Sequence, residues 1–383
     1  MPEHVMIDTE AGLADVVAAL LREPRYALDT EFHRERTYYP KVALVQIAWP
    51  GHLVLIDPLA VSLEPLAEVM QSDVLCVMHA PSQDFEVLEH ETGYAPIHFF
   101  DTQVAAGFLG MSSPSLSSLH ERFLKKRIPK GDRLTDWLAR PLKRAQLDYA
   151  ASDVADLLEL HDLLVAQLVE RDRLGWAESE FLILREKQRP QRDPDQAWLR
   201  IKEARHLRGE AVGVAKALAA FRERRAAEID QPIRFILPDL AIVALAQKRP
   251  AKVEQLTSIR GVDDRQLKGA LAEGILAAVQ EGIDNPVERP PRTRTNEGLG
   301  DLRAAVTLLG AWVAQLAREL SLDPALLGTR SDIEAFVRGE DSRLSSGWRA
   351  QAAGQGLRDL LDGKAALAFT TEQGLLIEPR PGH

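Results

Sequence analysis

One cysteine in 383 residues, Cys76, leaves no partner for an internal disulfide and no thiol cluster for a zinc site. It sits in the apolar run Val74-Leu75-Cys76-Val77-Met78, where it is expected to fill core space. Long apolar runs are missing as well. Nothing approaches the roughly 18 residues that suggest a membrane span, and Met-Pro-Glu-His does not open a basic-then-apolar signal sequence. Together these absences predict a cytoplasmic protein without membrane attachment, whose chemistry does not depend on thiols. A GxSxG elbow, a Walker loop and a CxxC pair are also lacking, which removes support for serine hydrolase, NTPase and zinc-finger readings. Nor is there an excess of positive charge. A net charge of -10 argues against blanket adhesion to nucleic acid, although a local basic track can coexist with an acidic average.

What is present describes an ordinary globular chain, 45% hydrophobic and 27% charged, long enough for more than one core. Residues 5–22 carry apolar positions at helical spacing, and the stretch Tyr26 to Phe32 reads as a first strand. Residues 42–49 and 53–56, separated by Pro50-Gly51, read as two more strands of an antiparallel meander. After a helix over 63–71 comes an apolar strand at 74–78, expected inside the sheet with both faces covered. A helix from Pro81 to Glu91, a short strand at His98-Phe99-Phe100 and a helix from Thr102 follow, with Asp101 suited to cap that helix. Such alternation indicates an α/β sheet domain. A long helix is expected from Pro141 to about Val169. Polar, proline-bearing stretches at 185–194 and 284–297 read as linkers, and they bracket two helical blocks of similar length, a duplicated small module.

The chemistry collects on acids. Side chains two apart on a strand share a face, so Asp29 and Glu31 point the same way while Leu28 and Phe32 pack behind. Uncompensated carboxylates repel one another, and a divalent cation is the strongest partner for such a pair. On the long helix, Tyr149 and Asp153 are four apart and share a face. Each pair alone reads equally well as solvated surface or core packing. Phosphodiester hydrolysis by two cations needs several carboxylates converging on metals roughly 3.5 to 4 Å apart. Asp29, Glu31, Asp84 and Asp153 could supply them, with oxygen chemistry that suits Mg²⁺ or Mn²⁺ rather than zinc, which leaves His33 and His79 as supporting residues. Residues 121–144 hold Arg122, Lys125, Lys126, Arg127, Lys130, Arg133, Arg140, Lys143 and Arg144 around Trp137, a composition that fits a phosphate backbone or a solvated surface.

Three motifs in order, Asp29-Thr30-Glu31, His79-Ala80-Pro81-Ser82-Gln83-Asp84 and Tyr149-Ala150-Ala151-Ser152-Asp153, resemble the tyrosine-bearing branch of the DEDD exonuclease superfamily. The flanks Arg36-Thr37-Tyr38-Tyr39-Pro40 and Thr135-Asp136-Trp137-Leu138-Ala139-Arg140-Pro141-Leu142 narrow that resemblance to the ribonuclease D family, while His79-Ala80-Pro81 departs from the family's common His-Gly form. The resemblance implies an RNase H-like α/β catalytic domain over 1–195, a mixed sheet flanked by helices. Two small all-α HRDC-like domains would follow, at 205–285 and, more divergent, at 299–378. It implies two divalent cations, with Asp29, Glu31 and Asp153 on the metal that activates water, Asp29 bridging, Asp84 reaching the second metal directly or through water, and Tyr149 orienting, or helping to deprotonate, the attacking water, orientation being the easier role for a group with an ordinary pKa of about 10. It further implies 3′→5′ trimming of RNA, such as tRNA precursors and other structured RNAs with 3′ extensions, releasing nucleoside 5′-monophosphates. The helical modules, tethered by linkers, would raise the concentration of the 3′ end at the site. A DNA exonuclease of the same superfamily and a non-catalytic RNA-binding protein are the alternatives.

Overall fold

The computed structural model describes residues 3–128, 135–187, 193–264, 266–287 and 302–380. These fall into two compact units, one made of Met1–Glu31, Leu44–Glu186 and Thr295–His383, the other of Phe32–Ala43 and Lys187–Arg294. Of the linkers expected at 185–194 and 284–297, residues 188–192 and 288–297 lie outside the described residues.

The first unit is built on a six-stranded mixed sheet in the order β1-β4-β3-β2-β5-β6. Its strands are β1 (Val5–Ile7), β2 (Arg25–His33), β3 (Lys41–Trp49), β4 (His52–Ile56), β5 (Leu75–Met78) and β6 (Phe99–Asp101). β3 and β4 pair antiparallel across the Pro50-Gly51 turn, whereas β1 runs parallel to β4, and β5 runs parallel to both β2 and β6. As its unbroken apolar run predicts, β5 lies inside the sheet, and Cys76, Val77 and Met78 are all buried. β1 was not expected. Three residues are too few to show a period of two, so the helical spacing that follows swallowed them, and the helix itself spans only Glu10–Leu20.

Two further differences lie later in the chain. The long helix expected over Pro141 to Val169 is two, Arg144–Ala155 and Leu157–Glu170, interrupted at Asp156, whose backbone leaves helical geometry at φ -109° and ψ 4°. Its carboxylate is taken by the Lys126 ammonium at 2.8 Å. The apolar stripe continues through the break, so periodicity alone does not reveal it. The final block begins as expected with a helix, Arg303–Glu319, but ends in an antiparallel hairpin of β7 (Ala365–Thr370) and β8 (Gly374–Pro379).

That block is bonded into the first unit rather than loosely tethered. Asp323 N–H donates to the Gly107 carbonyl at 2.8 Å, and its carboxylate accepts from Ser112 and Ser113. Arg173 reaches the carbonyls of Phe108 and Leu320. Glu180, on the helix Leu174–Lys187, receives both guanidinium nitrogens of Arg349, at 2.6 and 2.7 Å, and the Trp348 indole N–H at 3.0 Å. The Trp348 ring stacks on Trp176 with centroids 5.0 Å apart.

The second unit is helical. Its core joins Trp198, Ile201, Val212, Leu218, Ile242, Leu245, Ile275 and Val279. The helices Glu210–Glu228 and Gly269–Asp284 come so close that a Cβ on Gly282 would sit 2.3 Å from the Val214 Cα, so glycine is required there. The Tyr38-Tyr39 flank belongs to this unit. The Tyr38 hydroxyl donates to Glu223 at 2.8 Å, and the N–H groups of Tyr38 and Tyr39 donate to Asp230. No helix among the described residues is long and apolar enough to cross a membrane.

Candidate active site

Asp29 and Glu31 leave the same face of β2, and the helix Arg144–Ala155 brings Asp153 to them, so that one carboxylate oxygen from each lies within 4.8 Å of the other two. Asp84 arrives from the first turn of the helix Ser82–Thr92, just beyond β5. It stands outside that tight triad, and one of its oxygens accepts from the Thr30 hydroxyl at 2.5 Å. Its charge is nevertheless felt at both Asp29 and Glu31.

The electrostatics are those of four acids with no cation among them. Burial, then the repulsion of Asp84, Asp153 and Glu31, raises Asp29 well above the ordinary carboxylate range. Burial followed by Asp153 and Asp84 raises Glu31 to about 8. Burial raises Asp153 to about 7, partly offset by hydrogen bonding from Tyr149. Asp84 is also raised by burial, with the Thr30 hydroxyl working in the opposite direction. Acids held this close lose their mutual repulsion when hard divalent cations sit between them, and an all-oxygen donor set is what Mg²⁺-like ions bind. The residues present therefore fit a divalent-cation centre.

Tyr149 shares this environment. Burial and the charges of Asp153, Glu31 and Asp29 raise its pKa further above the usual value near 10, so its hydroxyl keeps its proton. Its ring faces Trp137, with centroids 6.2 Å apart and planes inclined at 34°.

The supporting residues behave as their positions suggested, with additions. Asp101 caps the helix Thr102–Gly107 by accepting from Gln103 and Val104 N–H. It also accepts from Ala80 N–H at 3.0 Å, and burial raises its pKa to about 6. Ala80 has φ +55°, a left-handed conformation that glycine adopts without cost, which is where the His-Ala-Pro turn departs from His-Gly. His79 is bonded to the Thr102 hydroxyl at 2.9 Å, and burial lowers its pKa to about 4, so it is a neutral structural group. Within the basic segment, Lys126 is paired with Asp156 and Glu159, Arg140 with Asp57, and Arg144 with Asp148. Lys130 and Arg133 lie outside the described residues. Thr30, Asp57 and the second role of Asp101 escaped the sequence reading, because each acts through a partner remote in the chain and no local spacing marks it.

Residues 4–169 match the 3'-5' exonuclease family, and residues 212–279 match the HRDC domain family. The chain is 37% identical over 382 residues to a ribonuclease D of Jannaschia sp. (strain CCS1), covering 97% of this chain and 99% of that one. It is 34% identical over 383 residues to a ribonuclease D of Zymomonas mobilis, covering 98% and 97%. Its structure is similar to that of Escherichia coli RNase D, described as an exoribonuclease involved in structured RNA processing. The TM-score is 0.84 at 28% identity, over 94% of this chain and 99% of that one. Near-complete coverage by these relatives, together with an acidic centre drawn from the first and third motifs, establishes that the chain belongs to the ribonuclease D family.

Proposed function

We infer that this chain is a 3′→5′ exoribonuclease that shortens RNA from its 3′ end, one nucleoside 5′-monophosphate at a time. The observation that carries the reading is the convergence of Asp29, Glu31 and Asp153 within 4.8 Å, with Asp84 adding its charge from the neighbouring helix. Asp29, Glu31 and Asp153 would hold one divalent cation and, with Asp84, would help to hold a second, Mg²⁺ or Mn²⁺ being the ions that suit such oxygen donors. When bound, such cations supply an activated water and neutralise charge on the departing oxygen.

The chain's own residues do the rest. Thr30 holds the Asp84 carboxylate in place through the 2.5 Å bond from its hydroxyl. Tyr149, one turn before Asp153 on the same helix, orients the attacking water by hydrogen bonding. The HRDC domain within 205–285, and the block 299–378 as a divergent second copy, hold the RNA body while its 3′ end enters the catalytic domain of residues 1–195. The substrates are tRNA precursors and other structured RNAs carrying 3′ extensions, and the work is done in the cytoplasm.

The test compares a 3′-extended tRNA with a matched single-stranded DNA, with and without Mg²⁺ or Mn²⁺. Metal-dependent stepwise shortening of the RNA, with 5′-mononucleotides released, is expected. A clear preference for DNA would move the chain to the DNA-degrading branch. Tight RNA binding without shortening under any metal would make it a binding protein.

A further inference from the structure

Linked to Tyr149 through Trp137 is an ion pair that does not belong to the acidic centre. Asp57 follows β4 directly and is pinned there, its N–H donating to the Ile7 carbonyl at 2.9 Å. Its carboxylate takes two prongs of the Arg140 guanidinium, Nε to Oδ2 at 2.6 Å and Nη2 to Oδ1 at 2.7 Å, and also accepts from Leu59 N–H at 2.9 Å. The same guanidinium donates through Nη1 to the carbonyls of Trp137 at 2.8 Å and Ala139 at 3.0 Å. One planar group thus ties the end of a sheet strand to the backbone of the segment that carries Trp137.

That segment needs such a tie. Residues 135–141 form no helix or strand, so no ladder of backbone bonds sets their path, and tertiary bonds must do it. The pair is partly exposed, with Arg140 at 26% and Asp57 at 15%, and pairs of this kind contribute little to stability. What a bidentate fork does supply is direction, because its two parallel bonds fix the guanidinium plane. Here that plane fixes the Trp137 carbonyl, and the Trp137 indole backs the Tyr149 ring at 6.2 Å.

Resting on the reading of Tyr149 as the residue that orients the attacking water, we propose that Asp57 and Arg140 are positioning residues for hydrolysis. Their fork holds Trp137 against Tyr149 and so keeps the tyrosine hydroxyl aimed at the acidic centre. Neither is one of the acids of the centre, and the action of both runs through Trp137. A misplacement of about 1 Å in a catalytic group can cost on the order of 100-fold in rate, so a support two residues removed can still be visible in turnover.

The experiment is a double-mutant cycle on the full chain, using a short single-stranded RNA oligonucleotide. Asp57→Ala and Arg140→Lys, each folded by its thermal midpoint, are expected to lower kcat about ten- to hundredfold while KM moves by less than about threefold. In a Tyr149→Phe background the same changes should cost less than about threefold, because the hydroxyl they aim is gone. A readout independent of activity accompanies the cycle: Asp57→Ala should alter the tryptophan emission of the protein, and that change should vanish in a Trp137→Phe background. Equal losses of kcat with and without the Tyr149 hydroxyl would overturn the proposal, as would an emission change that persists without Trp137. If Tyr149→Phe is itself as active as the unaltered chain, the role of Tyr149 fails first, and the proposal falls with it.

Discussion

Replacing Arg349 with leucine removes the cation that satisfies a buried acid. Glu180 is 7% exposed, and its carboxylate is held by Arg349 Nη1 and Nη2 at 2.6 and 2.7 Å and by Trp348 Nε1 at 3.0 Å. Burial pushes the Glu180 pKa up, but the hydrogen bonds from Arg349 and Trp348 outweigh it, and the net result is below the ordinary value. Without Arg349 only the indole N–H remains of these three bonds. Leaving one partner of a buried pair unpaired costs about 3 to 5 kcal/mol. For a unit of this size that corresponds to a fall in Tm of roughly 10 °C. Two controls separate charge from shape. Glu180→Leu combined with Arg349→Leu should recover much of the loss, since no buried charge is left. The single variant's deficit should also shrink at acid pH: an unpaired buried carboxylate has a raised folded-state pKa, so protonation below that value removes the cost. Differential scanning calorimetry at pH 5 and pH 8 reads all of this. An Arg349→Leu protein within about 1 kcal/mol of the unaltered chain, or a double variant worse than the single one, would refute the reasoning. The consequence reaches beyond one pair. A chain cut at the linker after residue 187 loses Arg349, Trp348 and Asp323 together, so it should be less stable as well as weaker in holding RNA.

Asp29→Asn should reduce turnover by orders of magnitude in a folded protein, because the acid serves the site rather than the core, and near-normal turnover in a folded variant would overturn its assignment. Tyr149→Phe should cost more in rate than in Mn²⁺ affinity, as read by calorimetry beside Asp153→Ala; equal losses of Mn²⁺ binding would show that the hydroxyl serves the metals instead. The pH dependence follows from the raised acids. With Glu31 at about 8 and Asp153 at about 7 in the metal-free chain, and ordinary values near 4 when unfolded, their contribution to stability is complete below the unfolded values and is lost as pH rises through 7 and 8. The thermal midpoint in EDTA should therefore fall from pH 5 to pH 9, more steeply than for Glu31→Gln, and Mn²⁺ should restore it above pH 7; parallel profiles for the two proteins would exclude the mechanism.

Much of the candidate site could be read directly from the chain, because its signals are local. Alternation along β2 puts Asp29 and Glu31 on one face, a spacing of four puts Tyr149 beside Asp153, and a polar residue before a helical stretch made Asp101 a cap. The interior position of β5 followed from its unbroken apolar run for the same reason. Other features were invisible because nothing periodic announces them. β1 is too short to show a period, and the interruption at Asp156 leaves the apolar stripe intact. The Asp57–Arg140 fork joins residues 83 apart, the Thr30–Asp84 bond joins residues 54 apart, and the Glu180–Arg349 pair joins residues 169 apart. By itself, then, the sequence determined which side chains are available for chemistry and which local faces present them. Only the tertiary structure decided that Tyr38 is bonded to Glu223 in the helical unit and that the last block is fastened to the catalytic sheet's unit. Pairings over such separations depend on where the chain returns after folding, and no short-range pattern encodes that.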